Sequence, residues 1–170
     1  MGNINARDPD YWNAVDPPDR MYSNLNWMHR FPDNTSIAQL SIPGTHDSMA
    51  LAGVLWAWTQ SLSLIVQLAL GIRFLDIRCR HYRDSLPVYH GVVYEGTAFE
   101  DVLQTTISFL EANPSEVIIM RIKETYSAAE NTMGRTFAQQ VRIAIDAFPA
   151  DRFWTVNQIP TLRQCRGKIV

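Results

Sequence analysis

The residues of this sequence best suited to acid–base chemistry are two histidines and four charged side chains that follow short apolar segments. They are His46, Asp47, Asp76, Arg78, His90 and Lys123. Imidazole titrates near neutral pH, so one histidine can accept a proton while another donates one in the same turnover. A carboxylate beside a histidine fixes its tautomer, and an arginine supplies a permanent planar charge that matches phosphate oxygens. Together these side chains are the minimal parts for cleaving a phosphodiester without a metal ion.

Each of these residues also has an ordinary structural explanation. A histidine such as His46 after a strand is more often a hydrogen-bonding turn residue than a catalyst, and Asp47 is equally suited to capping a helix. Asp76 and Arg78 are compatible with an ordinary buried ion pair, and Lys123 with a surface lysine at a strand end. Three neighbouring residues are expected in a solvated loop: Arg80, His81 and Arg83.

The elements that must position these side chains alternate between strands and helices. Apolar runs predict strands over 37–42, 72–77, 87–90 and 117–120, and the start of a fifth over 166–170. Helical spacing predicts helices around 27–28 and over 49–58, 63–70, 99–110 and 137–148. Such alternation indicates a parallel α/β sheet, because parallel strands need crossover connections. The carboxyl ends of parallel strands share one rim, so we expect the candidate residues to converge there.

The helix boundaries follow from local signals. Ser63 is expected to cap one predicted helix, and Gly71 stands where a helix C-terminus favours glycine. Thr97 and Glu100 have the spacing of a capping box at the start of the next long helix. Asn113-Pro114 ends that helix, because a proline disfavours helical backbone at the residue before it.

Length and composition exclude several classes of protein. The chain has 170 residues, of which 46% are hydrophobic and 19% charged, enough for one substantial core. A formal charge of −2 argues against a nucleic-acid partner, which would favour a basic face. The two cysteines, Cys79 and Cys165, lie far apart and imply neither a disulfide framework nor a zinc cluster. The sequence contains no glycine-rich nucleotide loop, and no motif indicates an oligomeric state.

The N-terminal segment 1–23, rich in Asp, Pro and Asn, is predicted to be a loop-like lead-in. It has no apolar segment of the kind that a secretory signal requires. The uncharged stretch 48–72 is interrupted by polar residues, so we do not expect it to span a membrane. These features predict a soluble or peripheral membrane protein and leave its compartment open.

Five segments, in one order and with suitable gaps, carry a resemblance to a known family. They are 41–48, 59–61, 71–78, 90–91 and 113–120. Their pattern resembles the catalytic X region of the phosphatidylinositol-specific phospholipase C family, in its bacterial-type, metal-independent branch. The resemblance covers about residues 24–170, which we therefore expect to form an X-type catalytic region.

The resemblance implies a TIM-type (β/α) barrel with its active site at the carboxyl ends of the strands. His46 would be the general base that takes the proton from the inositol 2-hydroxyl. His90 would be the general acid for the diacylglycerol oxygen, with Asp47 as its carboxylate partner. Arg78 would hold the phosphate beside Asp76. The products would be diacylglycerol and inositol 1,2-cyclic phosphate.

The resemblance also implies contacts with the headgroup and the membrane, and no cofactor. Lys123 would help to bind the headgroup. Leu55 and Trp56 would lie at the membrane interface, although tryptophans there are equally suited to core packing. Eukaryotic members place calcium ligands around this site, whereas Arg78 here would repel a divalent ion, and Asp47 stands where they carry asparagine. We therefore expect no metal.

The resemblance covers about the first half of such a barrel, strands 1–4 and the start of strand 5, so we expect the chain to be incomplete. In relatives the second half supplies the carboxylate partner of the general base and most inositol-binding groups, and no residue here is assigned those roles. The alternative is a catalytically impaired or non-catalytic half-barrel that binds lipid or protein. A third possibility is cleavage of a glycerophosphodiester, which generally uses a metal site built with glutamates and is disfavoured by Arg78.

Overall fold

The computed structural model describes residues 24–51, 59–125 and 133–170, and its centre is a five-stranded sheet. The strands are β1 (Gly44–Thr45), β2 (Phe74–Cys79), β3 (Pro87–His90), β4 (Val93–Ala98) and β5 (Ile119–Glu124). β2 lies between β1 and β5 and is parallel to both. β3 pairs antiparallel with the end of β2, and β4 pairs antiparallel with β3. Ile169, which lies in the fifth predicted strand (166–170), forms a further parallel bridge with Ile118.

Within the described ranges, four α-helices accompany the sheet. They are α1 (Leu64–Ala69), α2 (Phe99–Ala112), α3 (Phe137–Asp146) and α4 (Leu162–Cys165). Short 3-10 helices cover Trp27–Arg30, Ile37–Gln39 and Ala150–Arg152. None of the helices in the described ranges is long and apolar enough to cross a bilayer.

The core lies between β2 and the helices, and it determines which side of the sheet is left for chemistry. Leu75, Ile77 and Cys79 are fully buried in the same cluster as the apolar stripe of α2. Side chains alternate between the two faces of a strand, so Asp76 and Arg78 lie on the opposite face. The sheet therefore presents its polar residues away from the helices.

A fully buried ion pair ties residues near position 24 to this core. Arg73 Nε lies 2.9 Å from Glu116 Oε2, and both side chains are 0% exposed. The Arg73 guanidinium also donates to the carbonyls of Asn24 and Leu25, at 3.1 and 2.7 Å. Glu116 in turn accepts the backbone N–H of Met28. The beginning of the described chain is thus attached to the sheet by charge-assisted hydrogen bonds.

The expected strand over 37–42 is wrong. Ile37–Gln39 forms a 3-10 helix, because Ser36 and Gln39 cap its first turn reciprocally. The Ser36 N–H donates to Gln39 Oε1 at 3.1 Å, and Ser36 Oγ accepts the Ala38 N–H at 3.4 Å. These local bonds compete with strand pairing. The first strand is instead Gly44–Thr45, after Pro43.

The expectation of an all-parallel sheet is wrong at β3. Only residues 80–86 separate β2 from β3, which is shorter than the dozen or more residues that a parallel crossover needs. The chain therefore turns back, and Cys79 pairs antiparallel with Val88. The hairpin continues through Gly91, whose φ of +58° suits a tight turn, into β4, which the sequence patterns did not predict.

The remaining predicted elements differ in how well their boundaries agree with the structure. α1 begins after Ser63 and ends before Gly71 (φ +103°), as expected, but the expected cap is wrong, because the Ser63 side chain makes no capping hydrogen bond. The strands predicted over 72–77 and 117–120 each begin and end later, at Phe74–Cys79 and Ile119–Glu124. The helix predicted over 49–58 falls largely on 52–58, outside the described residues.

Two local expectations near the site are wrong. α2 is capped by Asp101, whose carboxylate accepts the Ala98 N–H at 3.0 Å, because Thr97 belongs to β4 and not to the helix start. His81 is only 2% exposed, since the short turn between β2 and β3 folds against the core. Arg83 in the same turn is exposed, and Arg80 is half-buried over the ring of Tyr82.

Candidate active site

The turn that follows β1 carries His46 and Asp47 on adjacent residues. Asp47 has a φ of +44°, in the left-handed region that aspartate tolerates better than most residues. Its N–H donates to Asp76 Oδ2 at 3.2 Å, and the Ser48 N–H donates to the Asp76 carbonyl at 3.0 Å. The turn is therefore attached to the middle of β2.

Two residues of the segment 59–61 hold the same turn from its other side. Thr59 Oγ1 donates to the carbonyls of His46 and Asp47, both at 3.1 Å. Gln60 Nε2 donates to the His46 carbonyl at 2.6 Å. Residues 59–61 are one of the five segments that carry the family resemblance. In the structure they fix the backbone that bears His46.

Arg78 is clamped between two buried carboxylates. Its Nε lies 2.8 Å from Asp47 Oδ1, and its Nη2 donates to Asp76 Oδ2 at 3.0 Å. The Asp47 contact is an ion pair whose atoms are not aligned as a hydrogen bond, so its attraction is chiefly electrostatic. The Arg78 side chain is 17% exposed. Its cation is therefore fixed in place and still reaches solvent.

Both candidate histidines meet this charged centre at Asp47. His90 Nε2 lies 3.2 Å from Asp47 Oδ2, and His46 Nε2 lies 3.5 Å from the same oxygen. His46 Nδ1 is 3.4 Å from Asp76 Oδ2, and Arg78 Nη2 is 3.3 Å from that ring nitrogen. The His46 ring is 66% exposed, whereas that of His90 is 22% exposed. One imidazole is thus open to solvent and the other is half-enclosed.

The two carboxyl groups have opposite electrostatic environments. Burial raises the pKa of Asp47 above its usual value, and it outweighs the opposing charges of Arg78, His90 and His46. Burial alone would raise the pKa of Asp76 as well. However, hydrogen bonds from the Asp47 N–H and from Arg78, with the charges of Arg78 and Arg121, lower the pKa of Asp76. Asp76 is therefore the more firmly ionised of the two.

Arg121 is a member of this cluster that the sequence analysis missed. It pairs with Asp76 in the β2–β5 register, and its Nη1 lies 3.2 Å from Asp76 Oδ1. Its side chain is 51% exposed. The signal that could have found it is its spacing of two residues from Lys123, which places both on one face of a strand.

Lys123 lies beside Arg78 in the same register and is exposed. Like charges on directly opposed residues of neighbouring strands are unfavourable unless an anion lies between them. Arg78, Arg121 and Lys123 therefore place three cations on two adjacent strands beside the carboxylates Asp47 and Asp76. Cations so arranged are suited to contact one phosphodiester anion.

The structure brings together all five predicted catalytic residues: His46, Asp47, Asp76, Arg78 and His90. The predicted interfacial residues Leu55 and Trp56 lie outside the described residues. Among the described residues, no group of three or more His, Cys, Asp or Glu side chains is arranged to hold a metal ion. The geometry is that of two acid–base groups flanking a fixed cation.

Comparison with known proteins identifies similar sequences. Residues 34–170 match the family model described as phosphatidylinositol-specific phospholipase C, X domain. A 1-phosphatidylinositol phosphodiesterase of Listeria monocytogenes is 38% identical over 172 residues, which cover 94% of this chain and 51% of that protein. One of Staphylococcus aureus is 33% identical over 85% of this chain and 49% of that protein. The chain thus spans about half the length of the curated relatives it matches.

Solved structures give the same result for the fold. A phosphatidylinositol-specific phospholipase C of Staphylococcus aureus has a TM-score of 0.81 at 32% identity, covering 89% of this chain and 53% of that one. The Listeria monocytogenes enzyme has a TM-score of 0.71 at 38% identity, covering 86% and 55%. A calcium-dependent enzyme from Pseudomonas, with a TM-score of 0.60 at 12% identity, shares the fold alone. The expected α/β class, about half of a TIM-type barrel, is confirmed.

Proposed function

The chain belongs to the family of phosphatidylinositol-specific phospholipase C X domains, and on this basis we propose that it cleaves the phosphodiester of phosphatidylinositol-type lipids. The products would be diacylglycerol and inositol 1,2-cyclic phosphate. Residues 24–170 would form the catalytic region, preceded by the lead-in 1–23. Asn24 and Leu25 are hydrogen-bonded to Arg73 within the catalytic region, and the lead-in 1–23 lies outside the described residues.

One observation carries this proposal: both imidazoles and the Arg78 guanidinium lie within 3.5 Å of the Asp47 carboxylate. His46, the exposed ring, takes the proton from the inositol 2-hydroxyl, and the freed electron pair forms the new oxygen–phosphorus bond. Arg78 neutralises the charge that develops on the phosphoryl oxygens. His90 donates its proton to the diacylglycerol oxygen as the old phosphorus–oxygen bond breaks.

The carboxylates prepare the two histidines for these different tasks. Asp47 Oδ2 lies 3.2 Å from His90 Nε2, so the proposed general acid has a carboxylate partner. Asp76 sits 3.4 Å from His46 and also binds Arg78, so it orients both the base and the cation. Because the attacking hydroxyl belongs to the substrate, cyclisation gains the advantage of an intramolecular reaction.

Headgroup and membrane contacts complete the proposal. Lys123 and Arg121, beside Arg78 and Asp76 on β5, would contact the anionic headgroup without any cofactor. Leu55 and Trp56 would place the protein at the membrane surface as a peripheral protein, since an amphipathic ring is suited to the lipid–water boundary.

The test measures, by phosphorus NMR, the release of water-soluble inositol phosphate from phosphatidylinositol vesicles. Replacing His46→Gln or His90→Gln should lower the rate by about 10²–10⁴-fold, the usual contribution of a general acid or base. His29→Gln is the matched control, because His29 is an exposed histidine of the Trp27–Arg30 helix. Equal losses in all three variants would refute the assignment.

A second candidate function is binding without catalysis, favoured by the exposed cations Arg121 and Lys123, which would contact an anionic headgroup with or without turnover. Under this alternative the chain binds phosphatidylinositol vesicles but releases no inositol phosphate. The His46→Gln and His90→Gln variants would then bind vesicles as the unaltered chain does.

A further inference from the structure

Gln67 is a buried glutamine on α1, at a position where apolar packing does not call for an amide. It is 2% exposed and stands among the apolar residues Leu64 and Leu68 on the inner face of the helix. Burying an amide costs free energy unless its polar atoms find hydrogen bonds. The partners that Gln67 does find therefore indicate what the residue is for.

Two of its three partners are the residues that bracket His46 and Asp47. Gln67 Oε1 accepts a hydrogen bond from Thr45 Oγ1 at 2.8 Å, on one side of the pair. Its Nε2 donates to the Ser48 carbonyl at 2.8 Å, on the other side, and to the Leu62 carbonyl at 2.8 Å. One side chain thus holds both ends of the turn that carries the candidate catalytic residues.

The same network reaches Asp76 through Ser48, whose side chain is fully buried. The Ser48 hydroxyl accepts the Asp76 N–H at 2.9 Å and donates to the Thr45 carbonyl at 3.2 Å. The hydroxyls of Thr45 and Ser48 lie 2.8 Å apart. α1, the His46–Asp47 turn and β2 are therefore joined by one continuous set of hydrogen bonds.

We propose that Gln67 is a positioning residue that holds the His46–Asp47 turn in its left-handed conformation beside Asp76 and Arg78. A turn with a positive φ at Asp47 persists because its surroundings hold it there. Gln67 acts on this turn through its hydrogen bonds to Thr45 and Ser48. The proposal rests on the proposed function for its relevance to catalysis, but its physical content is the geometry of the turn.

The variant Gln67→Met keeps the length of the side chain and removes its hydrogen bonds. Gln140→Met is the matched control, because Gln140 is a similarly buried glutamine (5% exposed) on α3. The measurements, made on the chain without substrate, are amide hydrogen exchange at Asp47 and Ser48 and the NMR ring signals of the histidines. In Gln67→Met the two amides should exchange about tenfold faster, and the ring signals of His46 should move while those of His29 stay.

Gln140→Met should change neither the amide exchange at the turn nor the His46 ring. If both variants lower the melting temperature and leave Asp47, Ser48 and His46 unchanged, Gln67 is merely structural and the proposal is wrong. Because these readouts need no turnover, they decide the proposal even for a chain that releases no inositol phosphate. Loss of activity with an unaltered turn would also overturn it.

A second pair of variants covers the case in which Gln67→Met does not fold. Thr45→Val removes the hydroxyl that donates to Gln67 and keeps the shape of the side chain, whereas Thr45→Ser keeps the hydroxyl. We expect faster exchange at Asp47 and Ser48 in Thr45→Val and restoration of the slow rate in Thr45→Ser. Equal exchange in the two variants would contradict the proposal.

Discussion

Arg121 Nη1 lies 3.2 Å from Asp76 Oδ1, across the pairing of β5 with β2. The other oxygen of the same carboxylate accepts from Arg78 at 3.0 Å. A single buried carboxylate is thus shared by cations from two adjacent strands. This arrangement leaves Arg78 fixed beside His46 while Arg121 remains half-exposed at the edge of the site.

Replacing Arg121→Gln should raise the pKa of the Asp76 carboxyl, because one of the charges that lower it is lost. The measurement is a carbon NMR titration of the Asp76 side chain. Arg142→Gln is the control, since Arg142 pairs with Asp146 on the exposed side of α3. An Asp76 titration that is the same in the Arg121→Gln and Arg142→Gln proteins would show that Arg121 does not act on the site.

Asp47→Asn and Asp76→Asn should change stability with opposite pH dependence. The pKa of Asp76 is lowered, so its ionised form stabilises the fold above the usual value of 3.8, and this contribution is lost as pH falls through the folded pKa. The pKa of Asp47 is raised, so its ionisation costs stability above the folded pKa, and that cost disappears as pH falls below 3.8.

The measurement for this pair is urea unfolding at several values between about pH 7 and about pH 3. The difference in free energy of unfolding by which the unaltered chain exceeds Asp76→Asn should become smaller as pH falls. Over the same range, the free energy of unfolding of the unaltered chain should rise relative to that of Asp47→Asn. Parallel pH profiles for the two variants would mean that their electrostatic environments do not differ as described.

Breaking the buried pair of Arg73 and Glu116 should be strongly destabilising. Arg73→Met leaves the Glu116 carboxylate uncompensated in the core, which costs about 3–5 kcal/mol in comparable pairs. The double variant Arg73→Met/Glu116→Leu should lose much less free energy of unfolding than the summed losses of Arg73→Met and Glu116→Leu. Urea unfolding measures each value.

Arg152→Met provides the comparison for that prediction, because Arg152 pairs with Glu111 at the surface. Such a pair contributes about 0–1 kcal/mol. If Arg73→Met proved as mild as Arg152→Met, the buried pair would not anchor the start of the described chain.

Removal of divalent ions should affect neither the stability nor the proposed activity. The cations of Arg78 and Arg121 offset the charges of Asp47 and Asp76, the two carboxylates that would otherwise attract a metal ion. The melting temperature should be the same with calcium and with a chelator, since a ligand of the folded state would raise it. A melting temperature that rises with calcium, or inositol phosphate release that a chelator abolishes, would contradict this prediction.

Much of the architecture could be predicted from local patterns. The apolar stripe of α2 specifies an amphipathic helix whatever its neighbours, and it packs as its spacing predicts. The ends of α1 at Ser63 and Gly71 likewise depend on nearby backbone groups alone. Over 37–42 two local signals conflict, and the prediction followed the wrong one. The apolar run is typical of a strand, but Ser36 and Gln39 cap a 3-10 helix there.

The residue types available for chemistry can be identified from the amino-acid sequence, because two histidines, an arginine and two aspartates lie in or just after apolar runs. Their mutual contacts depend on how distant segments pair. His90 reaches Asp47 on an antiparallel strand, contrary to the expected parallel rim, and Arg121 finds Asp76 through the register of β5 with β2. The direction and register of strand pairing depend on contacts between distant segments, which the periodicity of one segment does not encode.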